Sequence, residues 1–228
     1  MNFAPIIEAL PKYFTGAVTT VELLAISLAF GLLFAIPLAV LRTLDNPWLS
    51  KPVALFTYVF RGTPLLVQLF LIYYGLAQFE LVRDSWLWPW LQSAWFCACL
   101  SFAINTCAYT VEIIAGAIRA LPAGEIEAAK ALGMSRSVMF RRIILPSALR
   151  RSLPAYGNEV IFMLHGTSLA SVVTLLDLTS AARQTYSTHY LPFEAFIMAA
   201  LMYFVMTSAL VGLFHAAEAR WLKPLLPR

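Results

Sequence analysis

Charge is what this sequence has least of. Only 12% of its 228 residues are Asp, Glu, Lys or Arg, about half the share of a soluble domain. That excludes a water-solvated globular fold. Cysteine is scarce too. Cys97, Cys99 and Cys107 share one apolar stretch, which excludes a disulfide framework and offers no metal-ligand spacing. They read as small buried apolar residues. A G-x-x-x-x-G-K-[ST] phosphate loop is absent, so hydrolysis of ATP is not expected of this chain. H-E-x-x-H, G-x-S-x-G and an intramembrane Asp pair are absent as well, and the run from Met163 to Ser168 has no neighbouring base. Residues 1–16 carry Pro5, Glu8, Pro11 and Lys12 without a basic leader or a small-residue cleavage site, so no cleaved signal peptide is expected.

What the chain has in abundance is apolar length: 61% hydrophobic residues and a mean hydropathy of +0.76. Five runs long enough to cross a ~30 Å hydrocarbon core lie at about 17–41, 53–79, 91–118, 153–176 and 193–216. Between them stand breakers: Asp45-Asn46-Pro47, Asp84 to Pro89, Leu121-Pro122-Ala123-Gly124 and Leu191-Pro192. The expected fold is all-α, a polytopic membrane protein of five transmembrane helices, with residues 1–228 as one transmembrane domain and about 17–216 as its membrane-spanning part. Thirteen of the sixteen Lys and Arg residues fall in one set of flanks, from Arg42 through the cluster Arg119 to Arg151 and on to Arg220, Lys223 and Arg228; only Lys12, Arg83 and Arg183 fall in the other. By the positive-inside rule the N-terminus is outside, the C-terminus cytoplasmic, and about 119–151 a cytoplasmic loop. The net charge of +4 therefore follows the membrane and is no nucleic-acid signature. Trp86, Trp88, Trp90 and Trp95 form an outer interfacial belt. Five helices cannot enclose a wide gated pore, so two subunits are expected with the pathway between them.

The cytoplasmic loop is the most specific segment. Glu127-Ala128-Ala129 is followed after three residues by Gly133, and after nine more by Ile143-Ile144-Leu145-Pro146. The spacing predicts a short helix over 124–134 whose alanine face lets another protein approach closely. Gly133 suits the turn after it. Ser135 is placed to cap a second helix, 136–144, which ends near Pro146. The bland alternative is an amphipathic loop lying on headgroups, with Arg141, Arg142, Arg150 and Arg151 facing lipid.

This spacing resembles the EAA loop, by which permease subunits of bacterial ABC importers dock onto their ATP-binding subunits. The resemblance extends through Phe60-Arg61-Gly62-Thr63-Pro64-Leu65-Leu66-Val67-Gln68 and through Ala108-Tyr109-Thr110-Val111-Glu112 to the polar amino-acid permeases. Asn105 to Thr110, Leu153-Pro154-Ala155-Tyr156, Asn158-Glu159-Val160-Ile161 and Met163-Leu164-His165 resemble the M-type permeases of the histidine/lysine-arginine-ornithine branch. The resemblance implies an inner-membrane permease for basic amino acids. Its implied partners are two copies of an ATP-binding subunit (which would bind ATP and Mg, this chain holding no cofactor), a second related permease and a periplasmic binding protein. Glu127, Ala128, Ala129, Gly133 and Pro146 would then serve coupling to the ATPase.

Polar residues inside apolar runs point to the pathway, because a charge in hydrocarbon is costly and faces a bundle interior or a water-filled cavity. Ser101, Asn105, Tyr109, Glu112, Gly116 and Arg119 share one helix face. Asn105 and Tyr109 are pocket candidates or helix–helix hydrogen bonders; Glu112 reads as structural, paired with Arg61 or Arg119. Asn158, Glu159, Phe162, His165 and Gly166 share an arc of the fourth run. Glu159 is the one acid in that helix's core and suits a guanidinium or ammonium group. Phe162 can cover the apolar stem and His165 can hydrogen-bond the substrate; the competing assignment is a Glu159 neutralised by a protein arginine or by a proton. Gly62 and Pro64 are expected to interrupt the second run, with Arg61 at the interface and Gln68 turned into the pocket. Two other functions stay open on the residues: a permease for neutral or acidic amino acids, and a secondary transporter working without an ATPase.

Overall fold

The computed structural model describes residues 4–222; Lys223 and Arg228, two of the basic residues that orient the chain, lie outside the described residues. The helices follow in order: α1 (Ala4–Glu8), α2 (Leu10–Arg42), α3 (Pro47–Arg61), α4 (Leu65–Phe70), α5 (Glu80–Arg83), α6 (Trp88–Leu91), α7 (Ala94–Arg119), α8 (Ala123–Ala131), α9 (Arg136–Met139), α10 (Leu145–Gly166), α11 (Leu178–His189) and α12 (Pro192–Trp221). Helix α4 continues through a wide π turn at Leu71–Gly75, a second π turn at Phe140–Ile144 joins α9 to α10, and α10 tightens into a 3₁₀ stretch over Thr167–Val173. Among the described residues there is no strand.

Three helices, α2, α7 and α12, are each long and apolar enough to cross a membrane. The total reaches five if each of two bent pairs counts as one span. The first pair is the second predicted run, broken by 100° between α3 and α4. The break falls at Gly62, Thr63 and Pro64, where the missing proline N–H and its restricted neighbour end the first helix. The other pair bends by 49° between Val173 and Leu178. Here the structure adds α11 beyond the expected end at 176. Asp177 starts it, accepting from the Thr179 and Ser180 amides at 3.1 and 3.0 Å, the usual use of an Asp at a helix N-terminus. Asn46 likewise caps α3, with Pro47 in its first turn.

Helix α7 is the central post. Of its most apolar window 72% is buried, against 6% for α12, so α12 keeps most of its surface for lipid or another chain. Helix α2 packs along α7 and α11 through buried small residues: Gly31 meets Ala103, Thr106 and Cys107 of α7, with Ser27, Ala35 and Ala39 buried beside it, while Gly16 and Thr20 meet Asp177 and Leu178 at the start of α11. In a bilayer, lipid tails compete on equal terms for apolar surface, so close backbone approach supplies the packing energy. At Gly31 the approach leaves no room: a Cβ would run into the Thr106 methyl. The apolar core continues as Leu23, Leu69, Phe102, Met163 and Leu164 at mid-height, as Tyr13, Leu178 and Ala195 at the α1 end, and as Val53, Val111 and Ile114 at the other. Cys97, Cys99 and Cys107 are free and buried in this packing, as expected. Trp86 and Trp90 are exposed, whereas Trp95 packs against the core.

Candidate functional site

The loop begins with α8, a nine-residue helix whose Glu127, Ala128 and Ala131 are exposed while Ala129 packs inward. Its end is a Schellman turn. The Gly133 amide donates to the Lys130 carbonyl at 2.9 Å, and the Met134 amide reaches the Ala129 carbonyl at 3.2 Å. That pattern requires a left-handed residue between them, and Gly133 has φ of +71°. The turn leaves Leu132 standing free at 81% exposure, beside open space around Gly133. A small-residue surface with one projecting leucine is therefore held by backbone geometry alone.

Two expectations about the next segment need correction. Ser135 stands at the N-cap of α9 but its side chain accepts no bond there. Pro146 does not end a helix; it stands at the start of α10, directly after the π turn at Phe140–Ile144, where the wider turn accommodates the missing proline amide. Residues 136–173 consequently run as one helical path.

The loop is fastened to that path. Arg151 Nη2 on α10 donates to Glu125 Oε1 at 2.8 Å, and the Ser147 hydroxyl donates to Glu125 Oε2 at 2.8 Å. Both charged side chains are largely covered, at 22% and 30% exposure. Arg151 therefore holds an acid of the loop rather than facing lipid. Sequence reasoning did not find this clamp. The only local signal was Ser147 and Arg151 one helical turn apart on one face, with nothing to name Glu125 as their partner.

Eight residues beyond Arg151, about 12 Å along the helix, is Glu159. It is 7% exposed and makes no ion pair among the described residues. The arc drawn around Glu159 is split. Asn158 and Phe162 are exposed on the outer face, Phe162 at 72%. His165 turns to α12, its Nε2 lying 3.2 Å from Thr207 Oγ1, and with Ser168, Tyr203 and Phe204 it lines a cleft of about 480 Å³.

Gln68 and Asn105 come together, and both are occupied. Gln68 Nε2 donates to the Phe60 carbonyl at 2.7 Å and to the Thr63 carbonyl at 3.0 Å, while its Oε1 accepts from Asn105 Nδ2 at 3.0 Å. These side chains satisfy carbonyls that the broken helix leaves without amide partners. Tyr109 belongs to the same corner: its hydroxyl reaches the Arg61 carbonyl at 3.4 Å, and the Arg61 guanidinium stands 5.2 Å over its ring. Glu112 pairs with neither Arg61 nor Arg119. It accepts from Arg42 Nε at 2.9 Å and from the Thr57 hydroxyl at 2.7 Å, because α2 and α3 both meet α7 at that level.

Residues 27–223 match the family of binding-protein-dependent transport system inner membrane components. The histidine/lysine/arginine/ornithine transport system permease protein HisM of Escherichia coli (strain K12) is 48% identical over 215 residues, 94% of this chain and 90% of that protein. The nopaline transport system permease protein NocM of Agrobacterium fabrum is 45% identical over 225 residues, 98% of this chain and 93% of that one. A crystal structure of an amino acid ABC transporter with histidines superposes with a TM-score of 0.86 at 34% identity, covering 96% of this chain and 99% of that chain.

Proposed function

We propose, from the premise that this chain belongs to the binding-protein-dependent transport system inner membrane components, that it is a permease subunit carrying basic amino acids through the inner membrane in an ATP-driven importer. The whole chain is then one permease domain of five spans, with its N-terminus outside and its C-terminus in the cytoplasm. Two ATP-binding subunits supply the energy and hold ATP and Mg. A periplasmic binding protein delivers histidine, arginine, lysine or ornithine. A second, related permease covers the face on which Asn158 and Phe162 are exposed.

The observation that carries this reading is Glu159, a buried carboxylate without an ion pair among the described residues, on the helix that the docking loop grips. Burying a carboxylate is costly unless a counter-charge arrives, and a guanidinium or ammonium side chain brings one. Gln68, Asn105 and Tyr109 shape the wall by holding the broken helix, with His165 further along α10. Coupling runs through Glu127, Ala128, Ala129 and the Gly133 turn to Glu125, then to Arg151, then along α10 from its Pro146 end to Glu159. Closure of the ATPase subunits on α8 thereby turns α10 and changes the side to which Glu159 opens.

The test is uptake of labelled arginine into vesicles holding the complete transporter, wild type beside Glu159→Gln. Loss of about tenfold or more in uptake at low arginine, with ATPase subunits still bound, is expected from removing a charge-assisted contact. Unchanged uptake would move the substrate site away from Glu159. Uptake that persisted without ATP and collapsed with the proton gradient would favour a secondary transporter.

A further inference from the structure

The ends of α2 and α7, with α9 and the π turn that follows it, line a cleft of about 570 Å³ that the transport reading leaves without a role. Its polar wall is Arg119, Arg136 and Arg141 with Ser137 and Thr43; its apolar wall includes Leu44, Phe140 and Ile144. No acid lines it. None of these arginines makes an ion pair among the described residues, where the pairs are Arg42 with Glu112, Arg83 with Glu80 and Arg151 with Glu125. Glu112, two turns along α7 from Arg119, is already taken by Arg42 and Thr57. Arg119 is held in place by its bond to the Arg42 carbonyl at 3.0 Å.

Three arginines that line one cleft with no acid among its lining carry like charge, and an anion between them relieves that repulsion. The lining also specifies the kind of anion. A soluble phosphate would use the arginines and leave the apolar wall uncovered, whereas a phospholipid places its phosphate diester on the arginines and its first methylenes against Leu44, Phe140 and Ile144. The cleft stands at the boundary where two apolar helices end, which is headgroup level for any span, and basic pockets between helices on the cytoplasmic side hold anionic headgroups. We propose that this cleft is a binding site for an anionic phospholipid of the cytoplasmic leaflet, which pins the root of the docking loop to the bilayer.

The leaflet rests on the topology proposed above, which is tested separately. A thiol label at Ser137→Cys that reacts from the periplasmic side would overturn the leaflet while lipid retention could still be scored. For the site itself, the assembled transporter is exchanged into mixed phosphatidylglycerol and phosphatidylcholine of equal chain length, extracted, and weighed by native mass spectrometry. Wild type is expected to keep phosphatidylglycerol over phosphatidylcholine. Arg136→Gln with Arg141→Gln should lower that retention about tenfold or more, the scale of two arginines acting on an anionic surface. Arg150→Gln, outside the cleft, should leave it unchanged. Equal retention of the two lipids by wild type overturns the proposal with no variant needed. So does displacement of the lipid by millimolar inorganic phosphate, which would mark a soluble-anion site. Loss of the ATP-binding subunits from the double variant with lipid retention intact would assign the arginines to that partner instead.

Discussion

If Glu125 and Arg151 form the joint between the docking loop and α10, removing either should break transmission once, and removing both should break it no further. The perturbations are Glu125→Ala, Arg151→Ala, the double variant and the exchanged pair Glu125→Arg with Arg151→Glu. At 2.8 Å the gross attraction at an effective dielectric near 20 is about 6 kcal/mol. Desolvation and side-chain entropy consume most of that. A charge-assisted bond nets roughly 1.5–3 kcal/mol, while a fully exposed pair nets about 0.2–1 kcal/mol. With 22% and 30% exposure, a coupling of about 1–2 kcal/mol is expected, a factor of roughly 5–30. The assay is arginine taken up per ATP hydrolysed in reconstituted vesicles, with subunit stoichiometry checked on the same preparation. Each single variant should lower that ratio several-fold, the double variant should be no worse than the poorer single one, and the exchanged pair should recover part of the loss. Losses that simply add, with a coupling below about 0.3 kcal/mol, would refute the joint: the two residues would then act separately, and α8 would drive α10 only through the chain between them.

Three more outcomes are expected. At Gly133 the cost of substitution is conformational, since nothing stands within 4 Å of a new Cβ; uptake should fall from Gly to Asn and Asp to Ala, at constant membrane level. Equal uptake by Gly133→Ala and wild type would mean that the left-handed turn is dispensable. Gly31→Ala should lower the thermal midpoint of the purified complex by overpacking worth about 1–3 kcal/mol, and Thr106→Ser, which removes the methyl the new Cβ would meet, should restore much of it; failure of that rescue would show that the α2–α7 contact relaxes elsewhere. Asn105→Ala leaves the Gln68 carbonyl oxygen unpaired and should destabilise the broken helix by about 1–3 kcal/mol, read as faster proteolysis between Arg61 and Leu65; an unchanged digestion pattern would remove Asn105 from the support of the break.

The substrate reading and the support reading of the polar residues separate cleanly once the bonds are known. Gln68 and Asn105 looked like pathway residues because an amide inside an apolar run has few innocent explanations. The structure supplies one: a helix broken by Pro64 releases carbonyls, and an amide on the next turn is the shortest means of satisfying them. Glu159 is buried and makes no ion pair among the described residues. His165 did not join it: at the far edge of their shared arc, about 120° round the helix from Glu159, its ring meets Thr207 of α12.

What the sequence by itself determined was everything that depends on neighbours along the chain. The apolar runs, the interruption at Gly62 to Pro64 and the glycine turn after α8 are local in origin. Helical periodicity, a missing amide and a positive φ act within a few residues and need no knowledge of the rest. Tertiary structure alone decided the pairings. Glu112 met Arg42, 70 positions away, and Glu125 met Arg151 across 26, because the angles at which α2, α8 and α10 approach α7 and one another set which charges come within reach. A charge in a low-dielectric setting takes the partner that geometry brings nearest, and that geometry is a property of the packed helices together, written in no single stretch of the chain.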